Sequence, residues 1–275
     1  MQNEPVKVAA FDIDGTLFRW SFSIEIVERL VKDGLISSET YDPVRALKRQ
    51  WRCREISYIA YLAAIVNILE GKAMRAVSHR DIAEVARSVV EEHGRNVYVF
   101  TRELLLVVKE AGYRTVAISG SMKEAVNIFA EIWGIDDVLA PELEYGSNGL
   151  YTGNVFSSPV HEKAKALSAF LKRLHTPVDL VIAVGDTISD LTMLRMSDFP
   201  IAFNPENALK EHSRTHGLTC VTERKDAITV LSAPGQGSGR RTPRFFSEKS
   251  LVNVFPREIG MELKARLRSL GYEHL

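Results

Sequence analysis

The sequence predicts an α/β fold: a doubly wound, mainly parallel sheet with an inserted bundle of α-helices. Three observations predict it. A short apolar run near the N-terminus ends in acidic residues, as a buried strand of a parallel sheet would. After residue 95, apolar runs alternate with stretches of helical periodicity, which is typical of strands joined by crossover helices. Between residues 18 and 95 helical periodicity stands alone, so this block is an insertion into the sheet domain.

The first predicted strand covers residues 6–11 and is followed by Asp12, Asp14, Gly15 and Thr16. Both acids therefore emerge at the carboxyl edge of the sheet, where open α/β sheets bind ligands. Two crowded carboxylates repel each other, and a divalent cation is the usual way to offset that repulsion. The sequence thus predicts a cation site at the end of the first strand.

The insertion, residues 18–95, is expected to form a helical cap over the end of the first strand. Its four segments of helical spacing are residues 23–31, 41–51, 56–69 and 81–92. Tyr58 and Tyr61 lie in the most apolar of these segments. We expect both to pack in the core of the bundle; the alternative is that they line the inner face of the cap.

Residues 1–17 and 96–231 are expected to form the α/β core. Helices are predicted at 102–111, 163–174, 191–196 and 206–216, and strands at 114–118, 138–140, 180–184 and 201–203. A β-hairpin is predicted over 143–155, around an Asn-Gly turn. Ser121, with Glu124 three residues later, fits a capping box at the start of a further helix.

Residues 232–275 are predicted to be a glycine-containing linker and a tail with a possible amphipathic helix that begins at Pro256. The apolar stripe of that helix consists of Ile259, Leu263, Leu267 and Leu270. The sequence leaves open whether the stripe docks on the core, on a partner or on an anionic surface. We expect the tail to be dispensable for chemistry, because every candidate site residue precedes residue 231.

The composition restricts the possible partners. The 275 residues include 35 lysines and arginines against 35 aspartates and glutamates, which argues against a general nucleic-acid or membrane-surface binder. Cys53 and Cys220 lie far apart, which disfavours a disulfide framework or a zinc site. The sequence shows no apolar targeting segment or bilayer-spanning stretch, so we expect a cytoplasmic protein without a transmembrane segment or a nucleic-acid partner.

Further polar residues fall at the same predicted edge of the sheet. Ser119 and Gly120 end a strand before a helix and offer a hydroxyl and backbone N–H groups to an anion. Lys163 begins a helix, and Asp186 and Asp190 follow another apolar strand. Carboxylates and phosphate oxygens bind Mg²⁺, and a lysine neutralises phosphate charge. One aspartate can attack as a nucleophile while another protonates the leaving oxygen. The set therefore favours phosphoryl transfer.

This order of motifs resembles the haloacid dehalogenase superfamily. The motifs are Asp-x-Asp-Gly-Thr, then Ser, then Lys, then Gly-Asp-x-x-x-Asp, and the resemblance covers roughly residues 6–231. It implies the Rossmann-like core of that superfamily. The helical insertion after the first motif is similar to the cap of the branch that contains phosphoserine phosphatases. Members that act on carbon–halogen bonds lack an acid at the position of Asp14, so the resemblance is to the phosphatases.

The resemblance implies a role for each motif residue. Asp12 would be the phosphorylated nucleophile, and Asp14 the general acid and base. Ser119 and the N–H of Gly120 would bind the phosphate, with Lys163 opposite. Lys165 is the rival for that lysine. The implied Mg²⁺ ligands are Asp12, Asp14 through its backbone carbonyl, and Asp186, with Asp190 supporting them from the same loop.

The substrate is less well defined by this resemblance. Phosphoserine phosphatases are expected to bind the amino acid part of the substrate with a cap glutamate and a cap arginine. Glu25 is a candidate for the glutamate, but the helix expected to supply the arginine contains no cation. Among the cap cations upstream of it, Arg45, Arg49, Arg52 and Arg54 are the candidates that could substitute if the cap is built differently. The predicted function is a Mg²⁺-dependent phosphomonoesterase for a small phosphorylated metabolite. The alternatives are a phosphotransferase to an alcohol and a non-catalytic phosphate-binding regulatory protein.

Overall fold

The computed structural model describes residues 4–159, 162–232 and 247–272. The strands in these ranges are β1 Val6–Phe11, β2 Arg114–Ile118, β3 Asp137–Leu139, β4 Glu142–Tyr145, β5 Tyr151–Ser157, β6 Val178–Gly185, β7 Phe199–Phe203, β8 Thr219–Arg224, β9 Ala227–Ser232 and β10 Ser247–Glu248. The α-helices are α1 Phe22–Lys32, α2 Ser38–Arg52, α3 Tyr58–Leu69, α4 His79–His93, α5 Val99–Glu110, α6 Lys123–Trp133, α7 Lys163–Arg173, α8 Leu191–Leu194, α9 Asn207–His216 and α10 Arg257–Ser269.

The main sheet of the described residues has eight strands in the order β10-β9-β8-β7-β6-β1-β2-β3. In this order the six strands β8, β7, β6, β1, β2 and β3 run parallel to one another. Strand β9 pairs antiparallel with β8, and β10 pairs antiparallel with β9. At the carboxyl end of β1, Phe11 pairs with Ala117 on β2 and Val184 on β6. The loops after these three strands therefore leave the sheet side by side. The predicted fold class, a doubly wound and mainly parallel sheet with helices, is confirmed.

The central strand is buried on both faces, which explains its nearly uninterrupted apolar sequence. Val8 and Ala10 belong to one core with Leu167 of α7, whereas Ala9 and Phe11 belong to the opposite core with α5 and α6. All four strand residues have zero exposed surface. The end of β1 is therefore a rigid platform for the residues that follow it.

Helices α1 to α4 lie within the segment expected to form the cap. Helix α1 contacts α3 and α4, α2 packs on α3, and α4 contacts α6 of the core. Two chain segments join these helices to the core: the one before α1, which contains Arg19, and the one after α4, which contains Val97. The side chain of Arg19 connects the two segments. Its Nε donates to the carbonyl of Val97 at 2.8 Å, and its Nη2 donates to the buried carboxylate of Glu223 at 2.8 Å.

Two local expectations fail. The capping box of Ser121 and Glu124 is wrong, because α6 begins at Lys123 and the residue before it makes no side-chain cap. The hydroxyl of Ser121 instead accepts a hydrogen bond from the backbone N–H of Ser23, at 3.0 Å, at the start of α1. The sequence pattern also gave no prediction of the strands β8 and β9. A tertiary contact thus replaced the local cap, and a short hairpin completed the sheet.

The tail docks on the core. Ile259, Leu263 and Leu267 of α10 are at most 1% exposed, while Leu270 remains 49% exposed. Helix α10 packs on α5, and a Cβ on Gly260 would lie 2.6 Å from the carbonyl oxygen of Leu251, so the approach is close. Of the three docking alternatives the structure supports the core, so loss of the tail is expected to lower stability, while every candidate site residue still precedes residue 231. The predicted linker lies outside the described residues.

No helix among the described residues is long and apolar enough to cross a membrane.

Candidate active site

Three carboxylates meet at the carboxyl edge of the sheet. Asp12 follows β1, and Asp186 and Asp190 lie in the loop after β6. One oxygen from each lies within 4.8 Å of the others, and we call these residues the acidic cluster. Asp12 is 4% exposed and Asp190 is fully buried. The parallel pairing of β1 with β6 thus brings together residues that are more than 170 positions apart.

Lys163 places a positive charge beside the acidic cluster. It is the first residue of α7 and is 3% exposed. Its Nζ donates to Oδ1 of Asp12 at 2.6 Å and to Oδ1 of Asp190 at 2.5 Å. Lys165, the alternative candidate, has an exposed side chain paired with Glu162. The structure therefore places Lys163, and not Lys165, at the acidic cluster.

Asp190 stabilises the loop that carries Asp186. Its Oδ2 accepts hydrogen bonds from the backbone N–H groups of Asp186 at 3.1 Å and Thr187 at 2.9 Å. Its Oδ1 accepts from Lys163. A Cβ on Gly185 would lie only 2.5 Å from Cβ of Asp190, which explains a glycine at the end of β6. These hydrogen bonds connect Asp190 both to the loop that carries Asp186 and to Lys163.

Asp14 lies beside the acidic cluster, but its side chain points toward the cap. Its Oδ1 accepts from the backbone N–H of Phe22 at 2.7 Å, and its Oδ2 accepts from the hydroxyl of Ser119 at 3.1 Å. Ser119 is fully buried at the end of β2, and Gly120 beside it is exposed. Within the described residues no acceptor is found for the N–H of Gly120. A hydroxyl and a free N–H thus lie next to Asp14, where an anion could bind.

The electrostatics of the cluster favour an additional cation. Burial raises the pKa of Asp12 to about 7, and Asp190 and Asp14 add to the rise although Lys163 opposes it. Burial also raises the pKa of Asp186 well above its ordinary value, with further contributions from Asp12 and Asp190. Burial alone would lower the pKa of Lys163, but the two carboxylates beside it outweigh that effect and the net pKa is raised. One ammonium group therefore does not balance the negative charge.

The residues present fit a divalent cation. Gly15 has a positive φ of 82°, and a Cβ at this position would lie 2.2 Å from Oδ2 of Asp186. The absence of a side chain thus keeps the space beside that carboxylate open. Carboxylate oxygens are the donors that hard divalent cations prefer. Asp12 and Asp186 could bind such an ion directly, with Asp190 beside them in the same cluster.

Of the two cap tyrosines expected to pack in the bundle, Tyr58 is partly buried and packs against the core, and Tyr61 is fully buried. The ring of Tyr58 lies against Trp51, with ring centroids 5.6 Å apart. Tyr61 of the same helix stacks on Trp51, with ring centroids 5.4 Å apart, as expected for a packing residue. Both tyrosines lie in one apolar segment, and no sequence signal distinguishes them.

The cap residues expected to contact a charged substrate lie elsewhere. The carboxylate of Glu25 lies 3.7 Å from His93 and close to Glu28, inside the cap. The four candidate arginines, Arg45, Arg49, Arg52 and Arg54, are exposed. Three of them line an open groove of about 440 Å³ along α2, formed by Asp42, Arg45, Ala46, Lys48, Arg49 and Arg52. Arg54 follows α2 on the surface.

Known proteins with similar sequences include phosphatases. A phosphoserine phosphatase from Archaeoglobus fulgidus is 27% identical over 215 residues, which is 76% of this chain and 56% of that enzyme. A histidinol-phosphatase from Neisseria meningitidis is 24% identical over 218 residues, 76% of this chain and 96% of that enzyme. This chain thus spans little more than half of the first relative but almost all of the second.

Solved structures share the fold. A phospho-aspartyl intermediate analogue of phosphoserine phosphatase matches with a TM-score of 0.52 and 21% identity, over 76% of this chain and 91% of that one. A protein of unknown function from Bordetella pertussis matches with a TM-score of 0.60 and 19% identity, over 77% and 96%. The family model described as haloacid dehalogenase-like hydrolase matches residues 9–195, a segment that begins in β1 and ends just after α8. The chain therefore belongs to the haloacid dehalogenase-like hydrolases and is phosphoserine phosphatase-like in sequence.

Proposed function

We propose that this chain is a Mg²⁺-dependent phosphomonoester hydrolase that acts through an aspartyl-phosphate at Asp12. The observation that supports it best is the environment of Asp12: a buried carboxylate at a strand end, with Lys163 Nζ at 2.6 Å and the carboxylates of Asp186 and Asp190 beside it. Family membership and the named activities of the relatives point to the same reaction.

The proposed reaction has two steps. In the first, a carboxylate oxygen of Asp12 attacks phosphorus, the ester P–O bond breaks, and Asp14 protonates the leaving alcohol oxygen. In the second, Asp14 takes a proton from water, the water oxygen attacks phosphorus, and the bond to Asp12 breaks to release inorganic phosphate. Lys163, Ser119 and the N–H of Gly120 bind the phosphoryl oxygens throughout.

Mg²⁺ would be bound by Asp12, Asp186 and the backbone carbonyl of Asp14, with Asp190 supporting the loop. When bound, it neutralises part of the phosphate charge and so lets an anionic nucleophile approach an anionic substrate. Gly15 and the donors around Asp190 maintain the carboxylate positions that this requires. The helices of residues 18–95 would act as the cap over this edge.

The direct test is release of inorganic phosphate from a panel of small phosphomonoesters by the full chain, with Mg²⁺, with Ca²⁺ and with a chelator. We expect turnover with Mg²⁺, and loss with the chelator or with Ca²⁺, because Ca²⁺ accepts extra oxygens and would engage both oxygens of Asp12. Added alcohols that take up the phosphoryl group would indicate transfer in place of hydrolysis. Full activity in chelator would contradict the proposed function.

Lys163 and Lys165 form a matched pair for testing the phosphate site. Lys163→Met is expected to lower kcat/KM by at least about 100-fold, because it removes a preorganised cation from the phosphoryl oxygens. Lys165→Met removes the same charge from an exposed pair with Glu162 and is expected to stay within about 2-fold of wild type. Steady-state kinetics of both variants tests this prediction, and equal losses of kcat/KM would contradict the role of Lys163.

Asp14→Asn tests the general acid. An alkoxide leaving group needs a proton in the transition state, whereas a nitrophenolate needs little help. We therefore expect a loss of about 100-fold or more on alkyl phosphates and a clearly smaller loss on nitrophenyl phosphate. The measurement is kcat/KM on both substrate types. A loss that does not depend on the leaving group would refute proton donation by Asp14.

A further inference from the structure

The N-terminus of helix α1 is capped by residues of the candidate site and not by its own sequence. Ser21, the residue before the helix, makes no side-chain cap. The first N–H groups of an α-helix have no partner within the helix. Here the N–H of Phe22 donates to Oδ1 of Asp14 at 2.7 Å. The N–H of Ser23 donates to the hydroxyl oxygen of Ser121 at 3.0 Å. The start of this cap helix is therefore bound to the proposed general acid and to the segment after β2.

These contacts belong to a closed ring of hydrogen bonds that contains Asp14. The N–H of Ser121 donates to the hydroxyl oxygen of Ser119 at 3.0 Å, and the hydroxyl of Ser119 donates to Oδ2 of Asp14 at 3.1 Å. The hydroxyls of Ser121 and Ser23 are also hydrogen-bonded to each other, at 2.9 Å. All three serines are buried. Ser121 thus joins the two segments that bind the carboxylate of Asp14.

The two oxygens of Asp14 have different roles once a substrate is bound. In the proposed function the hydroxyl of Ser119 binds the phosphoryl group. A hydroxyl has one proton to donate, so Ser119 then releases Oδ2 of Asp14, and this oxygen is free to carry the proton for the leaving group. Oδ1 keeps the N–H of Phe22 as its donor. The orientation of the carboxyl group therefore depends on the position of the first turn of α1.

Two kinds of contact fix that first turn. The ring of Phe22 stacks on Phe18, with centroids 4.0 Å apart, and contacts Phe129 of α6, with centroids 5.4 Å apart. Apolar packing is non-directional, so it does not determine where a backbone N–H points. The bond from Ser23 to Ser121 is directional and acts on the residue next to Phe22. It fixes the direction of the Phe22 N–H, which the packing leaves free.

We propose that Ser121 is a positioning residue for the reaction. It binds the first turn of α1 through Ser23, keeps the N–H of Phe22 on Asp14, and so orients the general acid toward the leaving oxygen. Its effect passes through Asp14 and connects the position of the cap with proton donation in the core. This inference rests on the proposed phosphomonoesterase function and on the role of Asp14 in it.

The test compares kcat/KM of the Mg²⁺-loaded full chain on two esters: the alkyl phosphate of the panel that it hydrolyses best, and nitrophenyl phosphate. Ser121→Ala is expected to lower the alkyl-to-nitrophenyl ratio of kcat/KM by about 10-fold, because a misoriented acid impairs chiefly the leaving group that needs a proton. In an Asp14→Asn background the same substitution is expected to change the ratio by less than about 2-fold. Ser213→Ala is the matched control. It removes another buried serine hydroxyl, in α9, and should leave the ratio unchanged.

The ratio does not depend on the amount of folded enzyme, so a partly unfolded variant still decides the question. Equal losses on both esters are what a merely structural serine would produce, and they would overturn the positioning role. An unchanged ratio, or a drop that persists in the Asp14→Asn background, would overturn it as well.

A second variant applies if Ser121→Ala fails to fold. Ser121→Cys nearly keeps the volume of the side chain but replaces the oxygen by a weak acceptor, so it is expected to lower the same ratio. An unchanged ratio in this variant would overturn the inference about Ser121 alone. Absence of turnover of any phosphomonoester by wild type would instead overturn the proposed function itself.

Discussion

Asp12→Asn is expected to reduce kcat by at least about four orders of magnitude on every phosphomonoester. Phosphate-monoester hydrolysis is among the slowest uncatalysed reactions, so loss of the covalent route is not compensated by the remaining groups. An amide is a poor nucleophile and a poor cation ligand, yet it is nearly isosteric with the carboxylate. Lys163 keeps Asp190 as a partner at 2.5 Å, so the melting temperature should change by only a few degrees.

Two measurements complete this test. Acid quenching of wild type during turnover of a labelled ester should leave phosphate attached to the protein, and Asp12→Asn should show none. Asp42→Asn is the matched control, since its carboxylate lies on the exposed surface of α2 and pairs only with Arg45 in the described part of the chain. If Asp12→Asn retains a tenth of wild-type turnover, the assignment of Asp12 as the nucleophile is wrong.

Much of the core could be predicted from the sequence because short-range patterns determine it. The apolar run of β1 and the acids after it define a strand end, and parallel pairing then requires the ends of β1, β2 and β6 to meet. Asp12, Ser119 and Asp186 come together for that reason alone. Lys163 is harder to place from sequence, since Lys165 lies on the same helix, and the two residues are distinguished by burial and by their carboxylate partners in the fold.

The remaining features depend on contacts between distant segments, which local patterns do not specify. Ser121 matches the sequence pattern of a helix N-cap, but its hydroxyl is instead hydrogen-bonded to the hydroxyl of Ser23 at the start of α1. Tyr58 and Tyr61 lie in the same apolar segment, and the packing of α3 on Trp51 leaves Tyr58 partly buried and Tyr61 fully buried. Periodicity predicted the amphipathic tail helix, but it contained no information about the surface that the stripe would cover.

A chain that ends at Ser232 is expected to be unfolded or insoluble. It would lose α10, whose Ile259, Leu263 and Leu267 are at most 1% exposed, and with it the buried Leu251 and Phe255. Burial of one such side chain contributes about 1.5–3 kcal/mol to the free energy of unfolding. The sum is therefore comparable with the entire stability of a typical domain, about 5–15 kcal/mol. The exposed apolar surface of α5 would add a tendency to aggregate.

Point substitutions in the full chain make this prediction measurable even if the truncated chain cannot be purified. Leu267→Ala creates a cavity between α10 and the core and is expected to lower the free energy of unfolding by about 2–5 kcal/mol in denaturant titrations. Leu270→Ala, three residues later and 49% exposed, is expected to change it by less than about 0.5 kcal/mol. Since α10 packs on α5 and not on the acidic cluster, the folded fraction of Leu267→Ala should retain normal kcat. A truncated chain with wild-type melting temperature and turnover would show that the docked tail adds nothing to the core; loss of turnover at unchanged stability would instead connect the tail to the site.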